Sequence, residues 1–220
     1  MGSLQFDIAH LLGALILVMS FALLFQRRIF GVFKTFAVQA GLLAAAAAWQ
    51  AIVQDAPHLF ITAAIALVFK AIIIPIALHR IVLKLEIHRT VETAIGVGPS
   101  MIIGVALIAL SILLVLPVTR DSVALTRESL ALALSIVLLG LLMMITRRNA
   151  ITQVVGFMSL ENGLILAAVG VRGMPLVVEM SVAFSVMVAF IIFGIFFFQI
   201  RERFDTLDLH YLEAFRGERS

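Results

Sequence analysis

Cysteine is absent from the 220-residue chain. That excludes iron–sulfur clusters, thiolate zinc and a nickel–iron centre on this chain, and it removes disulfides as a clue to compartment. Charge is also scarce: Asp, Glu, Lys and Arg make up 13% of residues, against 63% that are hydrophobic. With a mean hydropathy of +1.17, the chain has too few polar side chains to coat a water-soluble domain. Lipid removes the need for that coat. The formal charge is +3, but the 16 basic residues fall in short clusters between apolar runs and do not alternate with aromatics. Nucleic acid is therefore not an expected partner. The five histidines (His10, His58, His79, His88, His210) show no i, i+4 pairing of the kind that holds a metal, and no cofactor is expected on this chain.

What the sequence does hold is apolar stretches, each long enough at roughly 20 residues to cross a hydrocarbon core of about 30 Å. Seven lie near 6–25, 30–53, 59–78, 99–118, 129–146, 150–171 and 175–200. They predict an all-α integral membrane protein of about seven transmembrane helices, because an open strand would leave backbone groups unpaired in lipid. The start, MGSLQFDIAH, lacks the positive region of a signal peptide, so the first stretch is expected to remain as a helix. Pro57, Pro99, Pro117 and Pro175 fall at the predicted helix ends, where a missing N–H is harmless. Pro75 lies inside the third stretch and should free the carbonyl of Ala71.

Basic residues predict the orientation. Arg27, Arg28, Lys34, Arg80, Lys84, Arg89, Arg147, Arg148 and the tail arginines Arg201, Arg203, Arg216 and Arg219 all fall on one face of a seven-helix weave. Arg120, Arg127 and Arg172 fall on the other. The positive-inside rule then puts the N-terminus outside and the C-terminus in the cytoplasm, in a multi-pass protein of a prokaryotic inner membrane.

The chain also reads as duplicated. QRRIFGVFKTFAVQAGLLAAAAAW (26–49) echoes TRRNAITQVVGFMSLENGLILAAVG (146–170), which would make two parallel three-helix units joined by a linking helix. The organisation is then an N-terminal unit (1–78), a connection (79–98), a linking helix (99–118), a C-terminal unit (119–200) and a cytoplasmic tail (201–220). The connection, HRIVLKLEIHRTVETAIGVG, suits an amphipathic surface helix, either a docking element or a solvated linker. The tail mixes apolar and charged residues, as a segment lying on a partner subunit would, or a frayed anchor among headgroups.

Two ionisable residues lie where charge is expensive. Lys70 sits in FITAAIALVFKAIIIPIAL and Glu161 in AITQVVGFMSLENGLILAAV, each near the middle of its span. Insertion scales put such a residue at roughly 2.5–3.5 kcal/mol near the bilayer centre, so it normally faces a partner or water. A matched lysine and carboxylate at mid-depth is what a lateral proton path needs. Asn162 and Gln153 on the same helix, and Gln39 on the second, are candidate polar support. The plainer reading is a buried ion pair that locks helices together, or a charge that meets a neighbouring subunit. The glycines Gly156, Gly163 and Gly170 and the run Ala44 to Ala48 read as close helix packing. Seven helices with a buried lysine also suggest a retinal protein or receptor. Lys70 is on the third helix, however, and one Trp and one Tyr make a poor chromophore pocket.

From about residue 129 the chain resembles the K subunit of respiratory complex I and its relatives in multisubunit cation/proton antiporters. The resemblance rests on ITRRN (145–149), on Gly156, Glu161 and Asn162, and on the tail FDTLDLHYLEAFRG (204–217). Taken whole, with Lys70 and RRNAITQVVGFMSLENG, it resembles the hydrogenase-4 component E family of group 4 nickel–iron hydrogenase assemblies such as formate hydrogenlyase. That resemblance implies a membrane-arm subunit beside antiporter-like chains and hydrophilic nickel–iron and iron–sulfur subunits. There, electron transfer on other chains drives proton or sodium movement through buried charges. The alternatives are a scaffold joining the hydrophilic arm to antiporter-like subunits, or a cation/proton antiporter subunit. The K subunit has glutamates on two successive helices. Here Glu161 falls one turn after the matching Met158, and the second position, near Ala189, has no carboxylate in 181–200.

Overall fold

The computed structural model describes residues 2–84, 91, 93–118 and 124–170, together with Met187 and Gly194. Apart from those two residues, the expected span 175–200 lies outside the described residues, as do the tail 201–220, positions 85–90 and 92 of the surface connection, and Arg120 and Arg172. The chain divides into two units, Met1–Ala183 and Phe184–Ser220. The second contributes only its two described residues, both helical.

The first unit is all-helical in its long elements. These are α1 (Gly2–Phe25), α2 (Ile29–Gln54), α3 (His58–Ile65), a π segment (Ala66–Ile73), α4 (Ile74–Lys84), α5 (Val97–Val118), α6 (Ala124–Thr146) and α7 (Ala150–Gly170). The stretch α3–π–α4 is continuous, so the described residues form six spans long and apolar enough to cross a membrane. Their bounds follow the apolar runs, except that the third continues to Lys84 and not only to 78. Large apolar side chains face outward along these spans, among them Ile102 at 73% and Leu113 at 66% exposure. Water would penalise that surface, whereas hydrocarbon does not. This is a multi-pass membrane protein.

Helices α1, α2, α6 and α7 share one core, built from residues such as Ile16, Leu43, Ala47, Ile136 and Ile165. The third span packs chiefly on α2, and α5 packs on α6 and α1. The tightest pair is α6 with α7, and its cause is glycine. A Cβ at Gly140 would lie 2.5 Å from the Leu160 nitrogen, and one at Gly163 would lie 2.9 Å from the Ala133 carbonyl oxygen. Small residues thus let two backbones meet, which is how helices gain contact in lipid without a hydrophobic drive between them. Gly156 belongs to the same seam, 3.1 Å from the Met144 nitrogen by the same measure.

On one membrane face the turns after α1 and after α6 are tied to the third connection. Val91 N donates to Arg27 O at 2.9 Å, Ala94 N donates to Thr146 O at 2.8 Å, and Thr93 pairs with Arg147 as an isolated bridge. These basic turns therefore share a face. Residues 79–84 extend α4 while 93–95 form a bridge and a bend, so the connection is not one surface helix from 79 to 98. Extended backbone there meets donors and acceptors that helix ends leave open. On the opposite face α2 ends at Asp55, in the left-handed conformation with φ 52°. There Gln54 Nε2 donates to Val169 O at 2.8 Å.

Candidate functional site

The site begins with the backbone of the third span. Four residues advance an α-helix about 40° past a full turn, so positions four apart drift off any one face. Yet Thr62, Ala66, Lys70, Ile74 and Leu78 are all buried. The wider turns of the π segment counteract the drift, and Ile74 N–H donates to Phe69 O, five residues back. The segment ends two residues before Pro75, which has no N–H to continue a ladder. The expected disturbance near Pro75 is thus a π segment from Ala66 to Ile73, with Lys70 inside it. Single π turns of this kind are frequent at functional sites.

Lys70 so placed reaches α7. Its Nζ lies 3.2 Å from Glu161 Oε2, with the two side chains 1% and 2% exposed. Among the described residues no acceptor besides that carboxylate is in reach of the ammonium, which carries three donors. Glu161 is followed in sequence by Asn162, where a buried chain of amides and hydroxyls begins. Asn162 Nδ2 donates to Gln39 Oε1 at 3.3 Å. Gln39 Nε2 donates to Ser20 Oγ at 2.6 Å and to Ser159 Oγ at 2.9 Å. Ser20 in turn donates to Ile16 O at 3.0 Å. Gln39, Asn162, Ser20 and Ser159 are all buried, and Asn162 Oδ1 has no hydrogen-bond partner among the described residues. The ion pair joins the π segment to α7, and the amide–hydroxyl chain joins α1, α2 and α7 through Asn162, the residue next to Glu161 in sequence.

Of the five residues singled out from the sequence, the structure joins Lys70 to Glu161 and Asn162 to Gln39. Gln153 lies apart, where its Nε2 donates to Arg147 O at 2.7 Å in the turn before α7. Ser20 and Ser159 were not read from the sequence. A lone serine in an apolar helix usually bonds its own backbone, so only the pairing with Gln39 distinguishes them. Nor was Arg147, which reads as a surface cation in a basic turn. It is 2% exposed, and its Nη2 donates to Leu23 O at 3.0 Å and Leu24 O at 2.7 Å. These are last-turn carbonyls of α1, where a cation is favoured.

The chain is 27% identical over 164 residues to hydrogenase-4 component E of Escherichia coli and of Shigella flexneri, which covers 74% of this chain and 76% of each relative. It is 27% identical over 206 residues, 93% of each chain, to an uncharacterized protein of Mycobacterium tuberculosis. No family model and no solved structure matches it. These similarities support a distant relationship to hydrogenase-4 component E.

Proposed function

We propose that this chain is a membrane-arm subunit of a complex I-like, hydrogenase-type assembly. In it, Lys70 and Glu161 carry protons along the bilayer centre while electron transfer proceeds on other subunits. The similarity to hydrogenase-4 component E supports the assembly. The observation that carries the path is the buried Lys70–Glu161 pair at 3.2 Å, with Glu161 next in sequence to Asn162, which opens a buried chain of amides and hydroxyls.

The chemistry follows from the pair. A proton passing from the Lys70 ammonium to the Glu161 carboxylate leaves a neutral amine beside a neutral acid, so neither form buries a net charge. The protonated Glu161 then donates onward, and the amine is recharged from its other side. Asn162 and Gln39 hold the geometry through their amides, and the Ser20 and Ser159 hydroxyls both accept and donate. A water that meets the open Asn162 Oδ1 would join acid to chain.

Glu161→Gln and Lys70→Ala in the assembled complex should each abolish coupled proton movement into inverted vesicles while electron transfer persists. Normal pumping by both assembled variants would count decisively against the path. A second reading is favoured by one observation: the third span packs chiefly on α2, and Lys70 is its ionic link to α7. Under that scaffold reading the pair locks the bundle, and the same variants lose assembly. Co-purification in mild detergent identifies the assembly itself. Nickel–iron and iron–sulfur subunits beside antiporter-like chains are expected, whereas antiporter subunits alone would favour the cation/proton antiporter reading.

A further inference from the structure

A second feature lies on the outer side of the third span, away from the ion pair. Between α2 and the π–α4 stretch runs a groove of about 360 Å³. Its walls are apolar, with Phe33, Ala37, Ile72 and Pro75 among them, and its lining also includes Lys34, His79 and Arg80. Lys34, His79 and Arg80 are exposed, as are Ile72 and Ile76, so the groove is open along its length. Among the described residues no acidic side chain lines it, and Lys34 and Arg80 have no ion-pair partner. The polarity is ordered along the helices. Lys34 lies in the first turns of α2 and Arg80 in the last turns of α4, so both belong to the face of the basic turns. Ala37 and Ile72 lie deeper. From Ile72 to Arg80 a helix rises roughly 12 Å, the scale of a headgroup region above its first acyl segments.

We infer that this groove seats an acidic phospholipid, with its phosphate between Lys34 and Arg80 and an acyl chain along Phe33 and Ile72. A cationic mouth over an apolar floor fits a molecule that is anionic at one end and hydrocarbon at the other. Basic pockets between transmembrane helices on the positively charged face take such headgroups. Arginine suits phosphate because its planar fork donates two parallel hydrogen bonds. The Phe30 ring packs against His79 at a tilt of 45°, with centroids 4.5 Å apart, and holds that imidazole at the mouth.

The test uses the full chain purified in a nonionic detergent, with bound lipid counted by native mass spectrometry. Phosphatidylglycerol, phosphatidylcholine and inorganic phosphate are added in separate arms. Retention of phosphatidylglycerol over phosphatidylcholine is expected. It should fall roughly tenfold or more in the double variant Lys34→Ala/Arg80→Ala, since each basic residue near the surface contributes measurably to acidic-lipid binding. The charge-preserving variant Lys34→Arg should keep it, which separates lost charge from lost fold. Arg28→Ala, outside the groove, should keep it too. Equal retention of both lipids, or unchanged retention in the double variant, overturns the inference. Displacement of the lipid by millimolar inorganic phosphate also overturns it, because the site would then be for a free anion.

Discussion

Lys70 and Glu161 are each misplaced alone and compatible together. Roughly 2.5–3.5 kcal/mol opposes a single charge at the bilayer centre, and a partner at 3.2 Å offsets much of that. Removing one member leaves the other buried and unmet, a loss of about 3–5 kcal/mol for such pairs. The pair His10–Glu128 has nearly the same separation, 3.3 Å, but its side chains are 48% and 57% exposed. Solvent screens it, and exposed pairs of this kind contribute about 0.2–1 kcal/mol at most. Arg147 is the third buried charge among the described residues and acts at a helix end. Burial lowers its pKa from the ordinary arginine value, yet a guanidinium stays protonated and keeps donating to the last carbonyls of α1. Arg147→Ala is expected to destabilise the protein by about 2–3 kcal/mol, the scale of charge-assisted hydrogen bonds. Arg148→Ala, at an exposed neighbour, should change little. Thermal melting in detergent checks both, and equal shifts would contradict the role given to Arg147.

At the scale of elements, the α6–α7 seam has the least room. A Cβ at Gly163 would meet the Ala133 oxygen and the Val137 nitrogen at 2.9 Å each, and backbone does not yield as a side-chain tip does. Gly163→Ala should lower stability by about 1–3 kcal/mol through overpacking. Gly41→Ala in α2, where a Cβ meets nothing within 4 Å, should raise it by up to about 1 kcal/mol through helix propensity. Denaturation of the two variants side by side measures the difference, and a neutral Gly163→Ala would mean that the helices are not held by this contact. The apolar runs made the six described spans legible, because hydrocarbon thickness dictates their length. Lys70 and Glu161 were legible for the same reason, as charges in the wrong solvent. Their contact was not, since sequence periodicity does not say that α2 stands beside both the π segment and α7. Pro75 signalled a disturbed turn, but the π segment depends on keeping Lys70 in register with a buried face. Gln153 was read as polar support on the basic side of the same helix. Eight residues before Glu161, about 12 Å along the axis, it lies in the first turn of α7 and bonds Arg147 O in the turn before it.

For the whole molecule, the hydrogen bonds from Val91 to Arg27 and from Ala94 to Thr146 put three basic connections on one face. Because the chain has no cysteine, single cysteines report sidedness without background. Arg28→Cys and Arg148→Cys should react with a membrane-impermeant maleimide only in inverted vesicles, and His58→Cys only in intact cells. The reverse pattern would invert the proposed topology. The path itself is a property of the assembly, and the sharpest question is whether the ion pair moves protons or only joins helices. The double variant Lys70→Met/Glu161→Leu answers it, because replacing a buried pair by apolar residues of similar volume is often neutral or stabilising. Proton uptake by inverted vesicles carrying this variant in an assembled complex active in electron transfer is the deciding measurement. No coupled uptake is the result predicted here, and wild-type uptake would contradict the proton path and leave the pair as a lock.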